Sequence, residues 1–156
     1  MRRRHRQILP LNAMAETFLV VEGVYKNLAS IGDFVEKFAV ECGLDDRSVY
    51  ALQMAVDEAC SNIIEHAYGG EGKGKIELEL LAVDDGVKVV IKDWGEPFDP
   101  SAIAAPNLQA PIEERQEGGL GLFLIRQLMD EVHFNFGNDR GEANLLTLIK
   151  GNKPES

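Results

Sequence analysis

A glutamate and an asparagine one helical turn apart, Glu58 and Asn62, are the residues of this chain best suited to chemistry. At i, i+4 spacing they project side by side from one helix face. A carboxylate so placed can take a proton from a hydroxyl or a water. A carboxamide oxygen is a hard, neutral ligand of the kind Mg²⁺ accepts while drawing its other ligands from water and phosphate. From Asp57 to Tyr68 there is no Lys or Arg, and Asp57, Glu58 and Glu65 stand on neighbouring turns. Like charges so placed repel by about 0.2–0.5 kcal/mol per pair, which a bound divalent cation would relieve. The plainer alternative is a solvated acidic face with Asn62 as an ordinary surface residue.

Two later stretches could hold a ligand beside that pair. Asp93-Trp94-Gly95-Glu96-Pro97-Phe98-Asp99 closes a run of alternating aliphatic residues. A carboxylate at a strand end can accept a hydrogen bond from an exocyclic amine such as that of adenine. Gly95, lacking a Cβ, would let a flat ring lie against the backbone. An ordinary strand-ending turn uses the same residue types. Further on, Gly118-Gly119-Leu120-Gly121-Leu122 opens an apolar, helix-forming run. Glycines at a helix start expose N–H groups, and the positive end of the helix dipole favours phosphate. No Gly-Lys-Ser/Thr follows, so this is not a P-loop, and no strand directly precedes it as in a dinucleotide fingerprint. A tight loop-to-helix joint would look the same.

The elements that must position these groups follow from periodicity. Glu16 to Val21 is short, β-branched and aromatic, and predicts a strand. Within Lys26 to Cys42, the residues Leu28, Ile31, Val35, Phe38, Ala39 and Cys42 recur at helical spacing, with Gly43 as the stop. Asp45 and Asp46 suit the cap of a second helix reaching about Tyr68, whose apolar stripe is Leu52, Ala55, Val56, Ala59, Ile63 and Ala67. After the loop from Gly69 to Gly72, strands at Lys75 to Val83 and Val87 to Trp94 flank a hairpin turn at Asp84-Asp85-Gly86. Their alternation of polar and aliphatic residues predicts a sheet covered on one face.

Gly95 to Gly119, broken by Pro97, Pro100, Pro106 and Pro111, is long for a connection and reads as a lid or binding segment. Leu120 to Glu131 is helical, with Leu120, Phe123, Leu124, Leu128 and Met129 as packing residues. Val132 to Gly137 and Asn144 to Lys150 make a last hairpin. The order β-α-α-β-β-loop-α-β-β predicts an α/β (α+β) two-layer sandwich, helices on one face of a mixed, mostly antiparallel sheet. Residues 1–12 read as a disordered basic tail and 13–152 as one domain.

The composition of the 156 residues, 45% hydrophobic and 27% charged, fits a soluble globular domain. The net charge is −10, but the first six residues hold four Arg, leaving 12 basic against 26 acidic side chains in the rest. Such a body is repelled by nucleic acid and by anionic membranes, and suits a basic protein partner or a ligand that brings its own metal. No run reaches the roughly 18 apolar residues of a membrane span. Arg2 to Ala15 mimics a short secretory signal, yet Pro10 and Asn12 interrupt its apolar part. Cys42 and Cys60 fall at apolar helix positions, as buried thiols in a reducing, cytoplasmic setting.

Taken in order, Glu58/Asn62, Asp93/Gly95, Gly119/Gly121 and Thr147 on a closing strand resemble the Bergerat-type ATP-binding fold of gyrase, the Hsp90 chaperone, histidine kinases and MutL. The resemblance spans roughly residues 16 to 150. Within that group, DEACSNIIEHAY, DWGEPFDP and GGLGLFLIRQLMDEV are similar to the anti-sigma factor serine kinases of bacterial stress and sporulation switches. The resemblance implies ATP and Mg²⁺ as cofactors. It implies that Asn62 coordinates the metal, that Glu58 is the general base toward the attacking hydroxyl, and that Asp93 binds the adenine amine. Gly95 would lie beneath the ring, with Thr147 near it through water. Gly119, Leu120 and Gly121 would cradle phosphates, residues 99–118 would form the ATP lid, and Arg115 would reach the γ-phosphate. His66, with no ligand cluster beside it, reads as structural. Pro97 stands where the broad superfamily has a second glycine.

The implied activity is phosphorylation of a small anti-anti-sigma antagonist protein, together with binding of a sigma factor, by a homodimer. A nucleotide-gated binding module of the same fold, without phosphotransfer, is the alternative.

Overall fold

The computed structural model describes residues 16–97, 119–137 and 141–152. Five strands, β1 (Glu16–Glu22), β2 (Lys75–Val83), β3 (Gly86–Asp93), β4 (Glu131–Asn135) and β5 (Asn144–Gly151), form one sheet in the order β1-β2-β3-β5-β4. Every one of these pairings is antiparallel, where the sequence left room for a mixed sheet. Ile76, Leu78, Leu80, Val87, Val89, Ile91, Leu146 and Leu148 are buried on one face. They meet α1 (Leu28–Glu41), α2 (Asp46–Asn62) and α3 (Gly119–Leu128), with α2 packed against both other helices. Burying each such side chain stabilises the fold by about 1.5–3 kcal/mol relative to exposure. Among the described residues no helix covers the other face, where Phe18 and Val20 of β1 stand opposite Glu79 and Glu77. Among the described residues no helix is long and apolar enough to cross a membrane.

The predicted core of the first two helices is in place: Ile31, Val35, Phe38 and Ala39 from α1, and Leu52, Ala55, Val56 and Ala59 from α2, are buried. Gly43 ends α1 at φ +86°, a left-handed conformation that costs glycine little. Asp45 then caps α2, its carboxylate accepting the Ser48 N–H at 2.8 Å. Asn152 receives the Asp45 N–H at 2.8 Å and donates to the Gly43 carbonyl at 3.0 Å, which ties this corner to the end of β5.

Two elements differ from expectation. The second helix does not continue as an α-helix to Tyr68. Directly after Asn62 it widens into a π-helical turn, Ile63–Ala67, in which the Tyr68 N–H bonds the Ile63 carbonyl five residues back. The wider turn leaves the Ala67 carbonyl to accept the Glu96 N–H at 2.8 Å, joining the helix to the end of β3. The Tyr68 hydroxyl reinforces the joint: it donates to the Lys75 carbonyl and accepts the Trp94 N–H. The second difference is the phase of α3. Leu122, Ile125 and Met129 are its buried stripe, while Phe123, Leu124 and Leu128 are only partly covered. The helix packs on α2 through the side that carries Gly121, and that contact sets which residues face inward.

Candidate functional site

The end of α2, the π turn, the end of β3, the start of β5 and the start of α3 enclose a cleft with about 520 Å³ of empty space, its open mouth included. Ile63, Leu122, Ile125 and Leu146 make its walls apolar, and Phe134 and Phe136 add a stacked pair with ring centroids 6.0 Å apart. Asn62, Asp93 and Asn144 bring polar atoms into it. Apolar walls with a few placed polar groups are what an aromatic, partly polar ligand requires.

At one end, α2 and α3 approach closely. A Cβ placed on Gly121 would lie 2.8 Å from Glu58 Oε2 and 3.3 Å from Asn62 Nδ2. Glycine at this point in the first turn of α3 therefore lets the carboxylate and the carboxamide sit against the helix start, where backbone N–H groups and the helix dipole favour anions. Glu58 is half-buried, and burial, then Asp57 and Glu65, push its pKa up. A carboxylate raised in this way is a stronger base than an exposed one, and it is not neutralised by any cation among those causes.

At the other end, Asp93 is 7% exposed and closes β3. Its Oδ1 accepts two hydrogen bonds, from the Gly95 N–H at 2.9 Å and from Asn144 Nδ2 at 3.0 Å. Among the described residues nothing donates to Oδ2. Asn144 also donates to the Gly95 carbonyl at 2.9 Å and accepts the Gly137 N–H at 3.1 Å, so its amide orientation is determined from three sides. Burial pushes the Asp93 pKa up, and the Asn144 and Gly95 hydrogen bonds oppose that shift. The outcome is a desolvated acceptor with one oxygen satisfied inside the protein and the other without a donor among the described residues.

Asn62 and Asp93 are thus brought together in the cleft, and Glu58 and Gly121 are brought beside Asn62. Thr147 is not. Alternation along β5 places Asn144, Leu146 and Leu148 on the inner face, and Thr147, paired with Val90 and His133, on the outer one. Asn144 stands where Thr147 was expected, and the inward phase of Leu146 and Leu148 is the signal that would have found it. Gly95 needs its missing Cβ for a different reason than a bound ring: a Cβ there would lie 2.4 Å from the Ala67 carbonyl oxygen. The space is taken by the joint between β3 and the π turn. Gly119 and Leu120 lie in the first turn of α3. Arg115 and the expected lid, residues 99–118, lie outside the described residues, as does the basic tail.

His66 is exposed and lies 4.0 Å from Glu65. Cys60 is buried and Cys42 only half so, and burial raises both thiol pKa values, Cys42 to about 11. Neither is a nucleophile in that state.

These groups fit a purine nucleotide. An acceptor-only carboxylate suits an exocyclic amine, the apolar walls suit the ring, and the opening of α3 suits phosphate. Among the described residues no group of three His, Cys, Asp or Glu side chains could hold a metal ion. A Mg²⁺ at Asn62 would take its other ligands from phosphate and water, as this ion commonly does. A family model for the histidine kinase-like ATPase domain matches residues 23–150. The chain belongs to that family.

The curated relatives of this ATPase-family chain include proteins named serine-protein kinase RsbW. The one from Oceanobacillus iheyensis is 37% identical over 97 residues, 60% of this chain and 61% of the relative. That of Halalkalibacterium halodurans is 40% identical over 100 residues, 62% and 59% of the two chains. That of Listeria monocytogenes is 34% identical over 113 residues, 70% and 71%. The chain thus spans about 60% of the length of the first two. A solved structure of the RsbU and RsbW domains of Rv1364c from Mycobacterium tuberculosis shares the fold, with a TM-score of 0.58 at 16% identity over 86% of this chain and 31% of that one.

Proposed function

We propose that this protein is an ATP- and Mg²⁺-dependent serine kinase that phosphorylates a small anti-anti-sigma antagonist protein and binds a sigma factor, as a homodimer in the cytoplasm. The observation that carries the reading is a cleft lined by Asn62 and Asp93, with Glu58 one helical turn from Asn62 and both side chains beside the place a Cβ on Gly121 would take. Asp93 binds the adenine amine through Oδ2, to which no described residue donates, and Asn144 holds that carboxylate in place. The first turn of α3, Gly119 to Gly121, receives the phosphates. Asn62 would hold Mg²⁺ through its amide oxygen, and the ion would supply positive charge against the phosphates.

In the transfer step, Glu58 accepts the proton of the acceptor serine hydroxyl as its oxygen bonds to the γ-phosphorus. The bond from that phosphorus to the bridging oxygen breaks, and ADP leaves with the electron pair. A sensor that only bound nucleotide would have no use for a half-buried base at that position. The homodimer finds support in a sheet face that no described helix covers, where Phe18 and Val20 are 60% and 57% exposed.

Transfer of labelled γ-phosphate from ATP to small antagonist proteins tests the proposal. Glu58→Gln is expected to slow transfer by about 10²- to 10⁴-fold while ATP still binds. If the wild-type protein labels no antagonist, the kinase reading is overturned.

A further inference from the structure

Glu58 lines a second depression, between α1 and α2, that shares no lining residue with the nucleotide cleft. Asn62 lines the cleft, Glu58 lines the groove, and a Cβ on Gly121 would meet both side chains. A ligand held by Asn62 and the start of α3 therefore comes to the carboxylate from one side, and the groove opens to it from another. Gly32 and Asp33 of α1 and Tyr50, Met54 and Asp57 of α2 form much of the groove, and none of its lining residues is Lys or Arg. Tyr50 is 64% exposed, a large aromatic surface beside three carboxylates.

Gly32 is the second observation. A glycine inside a helix destabilises it relative to alanine. A Cβ here would meet only Gln53 Nε2, at 3.9 Å, so packing within the fold does not call for glycine. The Gln53 amide, also on the groove wall, is held on the Gly32 carbonyl at 3.1 Å and the Glu36 carboxylate at 3.3 Å. The missing side chain deepens the groove instead.

We infer that this groove is the docking site for the protein substrate: a segment of the partner lies in it with its acceptor hydroxyl at Glu58, a Lys or Arg against Asp33 and Asp57, and an apolar side chain in the notch at Gly32 beside Tyr50 and Met54. This rests on the kinase reading above and adds the path by which the hydroxyl arrives. A basic segment relieves the acid cluster, and an aromatic wall beside a notch is the anchor arrangement common to protein interfaces.

The test measures labelled phosphate transfer to a panel of small antagonist proteins, with Mg-ATP affinity by calorimetry and Tm recorded for each variant. Gly32→Leu is expected to raise Tm, leave Mg-ATP affinity unchanged, and raise the KM for the antagonist tenfold or more with little change in kcat. Asp33→Lys is expected to raise the same KM with no effect on Tm or ATP affinity. A stability gain alongside a docking loss is an outcome that damage to the fold does not produce. If the wild type transfers phosphate and both variants keep its KM, the docking site is overturned and the kinase reading stands. If the wild type transfers none, both fall.

Discussion

Each end of the sheet carries an aspartate that bridges two strands, and the two are finished differently. At the end remote from the cleft, Asp130 Oδ2 accepts the Gly151 N–H at 2.8 Å and Oδ1 lies 3.5 Å from the ammonium of buried Lys150. Both oxygens have protein partners. At the cleft end, Asp93 takes both its donors on Oδ1. The same contrast appears in the acids near the two ends of α2. The Ser48 hydrogen bonds hold the Asp45 pKa below its usual value, whereas burial pushes those of Glu58 and Asp93 up. A closed network with a lowered pKa belongs to the fold. An open one with a raised pKa is maintained against the fold's own preference, and the ligand completes it.

The contrast is breakable by substitution, most strongly at the open end. Asp93→Asn replaces an acceptor with a carboxamide whose NH₂ faces the cleft. Calorimetry is expected to show ATP affinity about ten- to a hundredfold lower, the loss of one charge-assisted hydrogen bond, without a fall in Tm. Next is the joint beside it. Gly95→Ala drives a Cβ against the Ala67 backbone, and denaturant unfolding is expected to show a loss of about 1–3 kcal/mol. At the closed end, Asp130→Asn leaves Lys150 without its counter-charge. Solvent reaches Asp130, so the expected loss is only about 1 kcal/mol, with ATP affinity unchanged. An effect on ATP binding from that end would erase the distinction.

The smallest effect is in pH. Glu58 has a folded pKa above its unfolded value of about 4.3. Its contribution to stability is therefore fully present below that value and lost as pH rises through the folded pKa. Relative to wild type, Glu58→Gln is expected to raise Tm slightly at pH 7, with the difference vanishing near pH 4. Asp45, shifted the other way, contributes stability above its unfolded pKa that is lost on acidification. Asp45→Asn is therefore the control of opposite sign.

Much of this was legible in the residues. Leu52, Ala55, Val56 and Ala59 announce the buried face of α2, and that face fixes Glu58 and Asn62 on the remaining ones. Asp93 is readable as the acid ending an alternating strand. Thr147 was misplaced because Leu145, Leu146, Leu148 and Ile149 form an almost unbroken apolar run, which hides the period of two that a half-buried strand displays. Asn144, at the head of that run, was read only as the first residue of the strand. The π turn left no trace, since Ile63 and Ala67 prolong the apolar stripe whichever way the backbone winds. The need for glycine at position 95 arises from Ala67, distant in sequence, and no local pattern encodes it.

The wide turn after Asn62 has a mechanical consequence. Its Ala67 carbonyl is bonded to Glu96 instead of to its own helix, so α2 and β3 behave as the jaws of a caliper held by that main-chain hydrogen bond and by the Tyr68 hydroxyl. Asn62 stands on one jaw and Asp93 on the other. The span between the proposed base-reading and metal-holding ends is gauged by this joint, and side-chain changes around the rim are expected to alter grip without altering reach.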